Sequence, residues 1–284
     1  MTKNKLVGPF LKWVGGKRKL IPAICEFLPK NLSNLTYCEP FIGGGALFFY
    51  LQPKKSIIND YNSEVINVYQ VVKDDVDELI KSLQKHNDAT GPDYFYKIRS
   101  MDRNMLIDEM SATEKASRII YLNKTCYNGL YRVNSAGEFN SPYGSYKNPN
   151  IVNEPVLRSV NKFLNTTDVK IMNSDYADVL EKLPKNSFVY LDPPYYPISE
   201  TSNFTGYVEG GWREKDQVRL KLACDILTLR GIKFLLSNSS APFIKDLYND
   251  KNYHIHIVKA TRSINSNANK RGAIDELLIS NYDV

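Results

Sequence analysis

With 284 residues, 43% hydrophobic and 24% charged, the chain suits one large α/β domain or two smaller ones, and extended disorder is excluded. No stretch has the length of a transmembrane helix, and residues 1–10, with Lys3 and Lys5, hold no signal-peptide run; a cytoplasmic protein without membrane association is expected. Four scattered cysteines and three histidines argue against a disulfide framework or a metal site, while the net charge of +6 permits nucleic acid as a partner without requiring it.

The first informative stretch runs from Phe10 to Leu20, where Gly15-Gly16 separates Trp13 from a basic segment. A helix is expected from Lys17 to Leu28, with Leu20, Ile21, Ile24 and Leu28 on one face. Lys17 offers a point charge for a carboxylate or phosphate, although a basic helix start explains it as well. Next, Thr36 to Phe49 reads as a short strand, the turn Gly43-Gly44-Gly45 and an apolar helix, the first βα unit of a nucleotide-binding sheet. The glycines allow positive φ and leave room for a ligand against the backbone. Phe48 stands where a dinucleotide fingerprint would place its third glycine, which disfavours an NAD site. The strand Ser56 to Asn59 ends at Asp60, an acid well placed to accept from ribose hydroxyls.

A helix through Val65, Val68, Tyr69 and Val72 follows. The α/β rhythm then breaks for about a hundred residues, longer than an ordinary crossover. This insert contains a helical stretch at Ser111 to Tyr121 and then an aromatic, polar segment from Asn123 to Lys147, with Gly137 near its middle. A β-hairpin is expected there. Aromatics interleaved with Lys124, Arg132 and Lys147 suit stacking and phosphate contacts on nucleic acid, though a tyrosine-rich structural hairpin would look similar. Arg132 lies in the first arm, with Leu130 and Asn134 on its face.

The sheet resumes at Val169 to Met172, followed by Asp175-Tyr176 and a helix from Ala177 to Leu183. The run Phe188-Val189-Tyr190-Leu191 then reads as a fully buried strand, which Asp192-Pro193-Pro194-Tyr195 must terminate because proline cannot donate to a ladder. In an open α/β sheet, ligands bind beyond the carboxyl ends of strands. A carboxylate on a rigid turn beside a flat ring can hold a planar amine through its N–H groups. Ile198 to Trp212 is long, polar and glycine-containing, as a lid would be. A helix at Lys215 to Leu229 and strands at Lys233 to Leu236, His254 to Lys259 and Glu276 to Asn281 complete the chain. The last two flank a loop with Arg262, Lys270 and Arg271, candidates for phosphate contact.

Taken together, Trp13-Val14-Gly15-Gly16-Lys17, Pro40 to Gly45, Asn59-Asp60-Tyr61-Asn62, Asp175-Tyr176 and Asp192-Pro193-Pro194-Tyr195 resemble the Dam-type, α-class DNA adenine-N6 methyltransferases. The likeness spans nearly the whole chain in the family's order, and the hairpin resembles the family's GATC readers, those of the DpnII system above all. The fold it implies is α/β: a doubly wound, mostly parallel, Rossmann-like methyltransferase sheet. Residues 1–66 and 166–284 would form the catalytic domain, and residues 67–165 a helical and β-hairpin target-recognition domain.

The same resemblance implies S-adenosylmethionine as cofactor, contacted by Trp13, Lys17, Glu39, Pro40, Phe41, Gly43, Gly45, Asp60, Asp175, Tyr176 and Asp192. Asp60 would bind the ribose and Asp175 the cofactor's adenine amine. Catalysis would fall to Asp192, Pro193, Pro194 and Tyr195. Double-stranded DNA would be the partner: Arg132 reading guanine, Leu130 and Pro142 making apolar base contacts, Tyr127 wedging into the stack, Asn128 holding displaced DNA, and Tyr146 nearby. No metal and no obligate protein partner is implied. Ser135, Ala136 and Ser145 are less cationic than such hairpins usually are. Among other activities on this fold, a protein-glutamine methyltransferase would carry Asn at position 192 and a cytosine-N4 enzyme Ser. A catalytically silent DNA-binding protein would not need the intact motifs.

Overall fold

The computed structural model describes residues 3–13, 17–104, 106–198, 212–261 and 273–284. At its centre is a seven-stranded sheet formed by β1 (Thr36–Glu39), β2 (Lys55–Asn59), β3 (Asp168–Met172), β4 (Ser187–Leu191), β5 (Lys233–Ser239), β6 (His254–Thr261) and β7 (Ala273–Ser280). Their order is β3-β2-β1-β4-β5-β7-β6. The first five strands pair in parallel, and β7 runs antiparallel to both β5 and β6. The doubly wound, mostly parallel sheet expected from the sequence is therefore present.

Burial explains the composition of the inner strands. All five residues of β4 and all four of β1 are buried, because helices cover both faces of a parallel sheet and leave no solvent side for polar residues. Two prolines close β4 where the sequence predicts. From β1 the chain moves outward to β2 on one side, whereas β4 lies on the other. The carboxyl ends of β1 and β4 thus flank the point where strand order reverses, the usual crevice for ligands in such sheets. Pro40, Asp60, Asn173 and Asp192 are the first residues beyond four adjacent strand ends.

The expected helix at 17–28 forms in two pieces, a 3-10 turn at Lys17–Lys19 and α1 at Ile21–Glu26. Pro22 is the cause: inside a longer helix it would lack its N–H and press on the carbonyl one turn back, whereas in the first turn of α1 it is tolerated. The glycine turn opens α2 (Ala46–Leu51). Next comes α3 (Ser63–Asp74), capped by the Asn62 side chain, which accepts from the N–H groups of Glu64 and Val65.

Helices α4 (Val76–Asp88), α5 (Pro92–Arg99), α6 (Ala112–Thr125) and α7 (Glu154–Thr166) fill the insert before β3. Ser111 and Glu114 form a capping box at the start of α6. Position 67, where the sequence places a domain boundary, lies inside α3, and one contiguous core joins Phe48, Tyr69 and Phe163 to Leu83 and Tyr121. The expected hairpin at 123–147 is irregular, with isolated bridges at Cys126–Tyr143 and Val133–Phe139 in place of continuous strands. Left-handed backbone at Asn128 and Gly129 and the missing donor at Pro142 break the ladder. Its tip is held by the Asn134 side chain, which accepts from the N–H groups of Ala136 and Glu138.

The second half of the sheet is completed by α8 (Tyr176–Glu181), α9 (Glu214–Leu229) and α10 (Pro242–Leu247). Because β7 pairs antiparallel with β5, Glu276 lies opposite Ser239 at the carboxyl end of β5. Among the described residues, no helix is long and apolar enough to cross a membrane. Val14, Gly15 and Gly16, residues 199–211 of the expected lid, and Arg262, Lys270 and Arg271 lie outside the described residues.

Candidate active site

The turn after β4 is fixed from several directions. Lys17 is 5% exposed; its Nζ lies 2.8 Å from Asp192 Oδ1 and 4.4 Å from the centre of the Tyr195 ring. Burial pushes the Asp192 carboxyl up, Lys17 opposes that shift by charge and hydrogen bond, and Glu276 adds to it. Asp192 Oδ2 accepts no hydrogen bond among the described residues. The Tyr195 hydroxyl donates to Glu276 Oε2 at 2.8 Å. Behind the prolines, Gln217 Nε2 donates to the Pro194 carbonyl at 3.0 Å, and Gln217 Oε1 accepts from Asn238 Nδ2 at 3.0 Å. Asn238 Oδ1 in turn accepts from the Tyr196 N–H at 3.2 Å. Both amide side chains are fully buried, and such a satisfied buried network holds one geometry.

On the neighbouring strand, Glu39 is buried and accepts from the Tyr37 hydroxyl at 2.8 Å. Burial pushes its carboxyl up to about 8, partly countered by the Tyr37 hydrogen bond and raised again by Asp192. At neutral pH it is mostly protonated and can donate. The Pro40 carbonyl accepts from Asn59 Nδ2, whose side chain also bonds both the N–H and C=O of Ser174. Asn59 thereby ties the ends of β1, β2 and β3 together.

Asp60 is held by the N–H groups of Gly43 (2.9 Å) and Asn62 (3.0 Å). Burial raises its carboxyl and these backbone bonds oppose the rise. The glycine turn differs from expectation in one respect. Space over Gly43 and Gly44 is filled by Trp13: a Cβ on Gly43 would stand 2.6 Å from Trp13 Cδ1, and one on Gly44 2.9 Å from Trp13 Cβ. Gly45 has φ +65 and faces the Tyr69 hydroxyl, which donates to the Gly43 carbonyl. These glycines admit protein side chains, and it is Trp13 that the turn displays.

Farther along the strand ends, Phe41, Tyr176 and Trp212 cluster, with ring centres 5.1, 5.7 and 5.9 Å apart. The Tyr176 hydroxyl and Trp212 Nε1 are buried without a hydrogen-bond partner among the described residues, unmet capacity of the kind a bound purine or ribose would satisfy. Asp175 caps α8 by accepting from the Ala177 N–H and receives both Nη atoms of Arg219, at 2.8 and 2.9 Å. Burial pulls its carboxyl up, but these bonds outweigh that and leave it below its ordinary value.

The other wall of the crevice is the insert. Trp13 stacks on Tyr131, ring centres 5.1 Å apart, and the Lys12 backbone exchanges two hydrogen bonds with the Asn123 side chain. Lys12 Nζ sits over the Tyr146 ring at 4.4 Å. Tyr127, Asn128 and Pro142 are exposed side by side, and the Tyr127 N–H donates to the Pro142 carbonyl at 2.9 Å. Leu130 is half-buried and its carbonyl accepts from the Ser141 hydroxyl. Arg132 donates from Nε to Asn140 Oδ1 at 2.6 Å and from Nη2 to the Asn140 carbonyl at 3.2 Å. Glu138 instead faces Arg103 and Asn134. Lys124 is pushed down to about 8 by burial and by the charges of Lys12 and Arg18.

The structure therefore gathers Lys17, Glu39, Pro40, Phe41, Asp60, Asp175, Tyr176 and Asp192 to Tyr195 at adjacent strand ends. Trp13 bridges that set to the surface bearing Tyr127, Asn128, Leu130, Arg132, Pro142 and Tyr146. Sequence reasoning named Asn59 within a motif but gave it no role, and it missed Gln217, Arg219, Asn238 and Glu276. Glu276 had left a signal, as one of two acids, with Asp275, inside the otherwise apolar strand Ile274 to Ile279.

Comparison with known proteins shows the family. The profile of D12 class N6 adenine-specific DNA methyltransferases matches residues 13–264. The chain is 45% identical over 283 residues to the type II methyltransferase M1.LlaDCHI of Lactococcus lactis subsp. cremoris, covering 99% of this chain and 98% of that one. It is 44% identical to the type II methyltransferase M.MjaIII of Methanocaldococcus jannaschii, covering 97% and 99%. It is 34% identical to the DNA adenine methylase of Escherichia coli K12, covering 98% and 95%. The chain belongs to the D12 class of N6 adenine-specific DNA methyltransferases.

Proposed function

We propose that this enzyme transfers a methyl group from S-adenosylmethionine to the N6 amine of adenine flipped out of double-stranded GATC. It would serve as the cytoplasmic modification enzyme of a restriction system, a reading supported by its two relatives from L. lactis and M. jannaschii, both named type II methyltransferases. The observation that carries the reading is Asp192: Lys17, which lies over the Tyr195 ring, holds its Oδ1, while no described residue donates to Oδ2.

Adenine N6 is a weak nucleophile because its lone pair is delocalised into the ring. Asp192 Oδ2 and the Pro193 carbonyl would accept its two N–H bonds, drawing the nitrogen toward tetrahedral geometry. They would also stabilise the positive charge that develops as the N–C bond forms. Asp192 would receive the proton that N6 then loses. Tyr195, oriented by Glu276, would stack on the base and hold it in line. Pro194, tied to Gln217, keeps the acceptors rigid. Flipping costs roughly a few kcal/mol, which stacking and these hydrogen bonds offset.

The fit of the chain to the cofactor rests on the strand-end groups. Protonated Glu39, Asp60, the Phe41–Tyr176–Trp212 cluster and Asp175 offer donors, acceptors and apolar faces suited to a nucleoside with an amino-acid tail. Bound there, S-adenosylmethionine supplies an electrophilic methyl group. Trp13 and Pro40 would form the wall beside it, with Gly43 behind Trp13 and Gly45 behind Tyr69. Residues 67–165 would read the target and the remainder carry out catalysis. No metal or partner protein is invoked.

Transfer of labelled methyl groups to a GATC duplex, with N6-methyladenine identified after digestion, tests the reading. Equal transfer to a duplex lacking GATC would remove the proposed target; transfer to cytosine would remove the proposed reaction.

A further inference from the structure

Tyr131 sits next to the proposed guanine reader, yet it is 2% exposed. Its ring stacks on Trp13 and meets Phe139 edge-on at 5.6 Å. Its hydroxyl donates to Glu64 Oε2 at 2.5 Å. Glu64 belongs to the first turn of α3, and its other oxygen lies 3.6 Å from Nη1 of Arg118. Arg118 is wholly buried, pairs with Asp102 Oδ2 at 2.9 Å and donates to the carbonyls of Ile98 and Arg99. Asp102 Oδ2 also accepts from the Phe139 N–H at 2.8 Å, and Arg103 donates to the Phe139 carbonyl at 2.8 Å.

Both arms of the hairpin are thus anchored to one buried charge network, the first through Tyr131 and the second through Phe139. Arg132 and Asn140 are the next residues along the two arms. In extended backbone, successive side chains point to opposite faces. Drawing Tyr131 and Phe139 inward therefore turns Arg132 and its brace Asn140 outward. The anchor of the first arm stacks on Trp13, which covers the glycine turn of the strand-end crevice.

We propose that Tyr131 and Glu64 are positioning residues that couple the cofactor pocket to the guanine-reading arm, so that cofactor and cognate DNA strengthen each other's binding. This rests on the reading that Trp13 borders the cofactor and Arg132 faces the target guanine. Packing of a cofactor against Trp13 restricts the stacked Tyr131, and with it the backbone that carries Arg132. Ordering imposed by the first ligand then need not be imposed again by the second. Linkage makes the effect reciprocal: each ligand changes the other's affinity by the same factor.

The test is calorimetric binding of S-adenosylhomocysteine with and without a GATC duplex, to wild type, Tyr131→Phe and Tyr131→Leu. Phenylalanine keeps the stack and loses the bond to Glu64; leucine loses both. In wild type the duplex should tighten cofactor binding about five-fold or more, the low end of typical coupling. That factor should shrink in Tyr131→Phe and approach one in Tyr131→Leu. A purely structural role would weaken each ligand alone and leave the ratio intact. If Tyr131→Leu does not fold, by thermal midpoint, Tyr131→Phe decides. A wild-type ratio of one, or equal ratios in wild type and the folded variants, overturns the coupling. Failure of wild type to bind S-adenosylhomocysteine at all, or equal affinity for GATC and scrambled duplexes, would overturn the underlying reading and the coupling with it.

Discussion

Glu276, on the strand that runs against its neighbours, accepts the hydroxyl of Tyr195 at 2.8 Å. The antiparallel return of β7 is what places this acid at the carboxyl end of a parallel sheet. In the proposed function Tyr195 has two separable parts, a ring to stack on the base and a hydroxyl that orients the ring. Tyr195→Phe should lower kcat by about five-fold, the loss of one orienting hydrogen bond worth ~1 kcal/mol. Tyr195→Ala should lower it by roughly ten- to seventy-fold, because stacking is lost as well. Single-turnover kinetics on a GATC duplex measures both. Equal losses in the two variants would assign the whole effect to the hydroxyl.

Asp192→Ala is not a clean probe of chemistry, because it removes the carboxylate that faces buried Lys17. A stability loss of about 1–3 kcal/mol is expected, below the range for a fully enclosed pair since Asp192 borders the crevice. Asp192→Asn keeps shape and one acceptor oxygen but loses the charge proposed to stabilise the transition state. Its denaturant midpoint should stay nearer the wild-type value, while methyl transfer falls by at least about a hundred-fold. Turnover within a few-fold of wild type would remove the carboxylate from the mechanism.

Much of this site was legible as strand ends. Four apolar residues followed by Asp192 and two prolines announce a buried strand and its termination, because a ladder cannot continue without N–H donors. Packing partners were not legible. Gln217 reads as one more polar residue on a helix and Asn238 as one on a strand; their pairing depends on bringing α9 against β5. The glycine turn suggested space for a ligand, but Trp13 from the N-terminal segment fills it. Pro22 was in plain view, and its effect on the helix after Lys17 follows from its missing N–H. The irregular hairpin follows from Asn128, Gly129 and Pro142, whose backbone needs override the alternating pattern around them.

Glu39 links stability to pH. Its folded pKa is raised from 4.5 to about 8, so the folded state keeps a proton that the unfolded state has released. This contribution is fully present below 4.5 and is lost as pH rises toward 8, by roughly 3–5 kcal/mol at most. Glu39→Gln cannot ionise and should flatten the fall in stability between pH 5 and pH 8. Urea midpoints at three pH values check this; parallel slopes in wild type and variant would mean that Glu39 is ionised in the fold.

Arg132 is expected to set target choice. Asn140 occupies Nε and one hydrogen of Nη2, and no protein group among the described residues bonds Nη1. An arginine held along its Nε side presents the Nη1/Nη2 edge outward, and that planar fork fits O6 and N7 of guanine in the major groove. Arg132→Ala should therefore cost about 1–3 kcal/mol on GATC and reduce discrimination at the guanine. Asn140→Ala keeps the guanidinium but loses its brace, so its loss should be smaller and should fall on the same base. Arg132→Lys should fail to restore discrimination, since an ammonium cannot supply two parallel hydrogen bonds. The measurement is kcat/KM on GATC and on duplexes altered only at the guanine. If Arg132→Ala lowers every duplex equally, the side chain holds the phosphate backbone and another group reads the base.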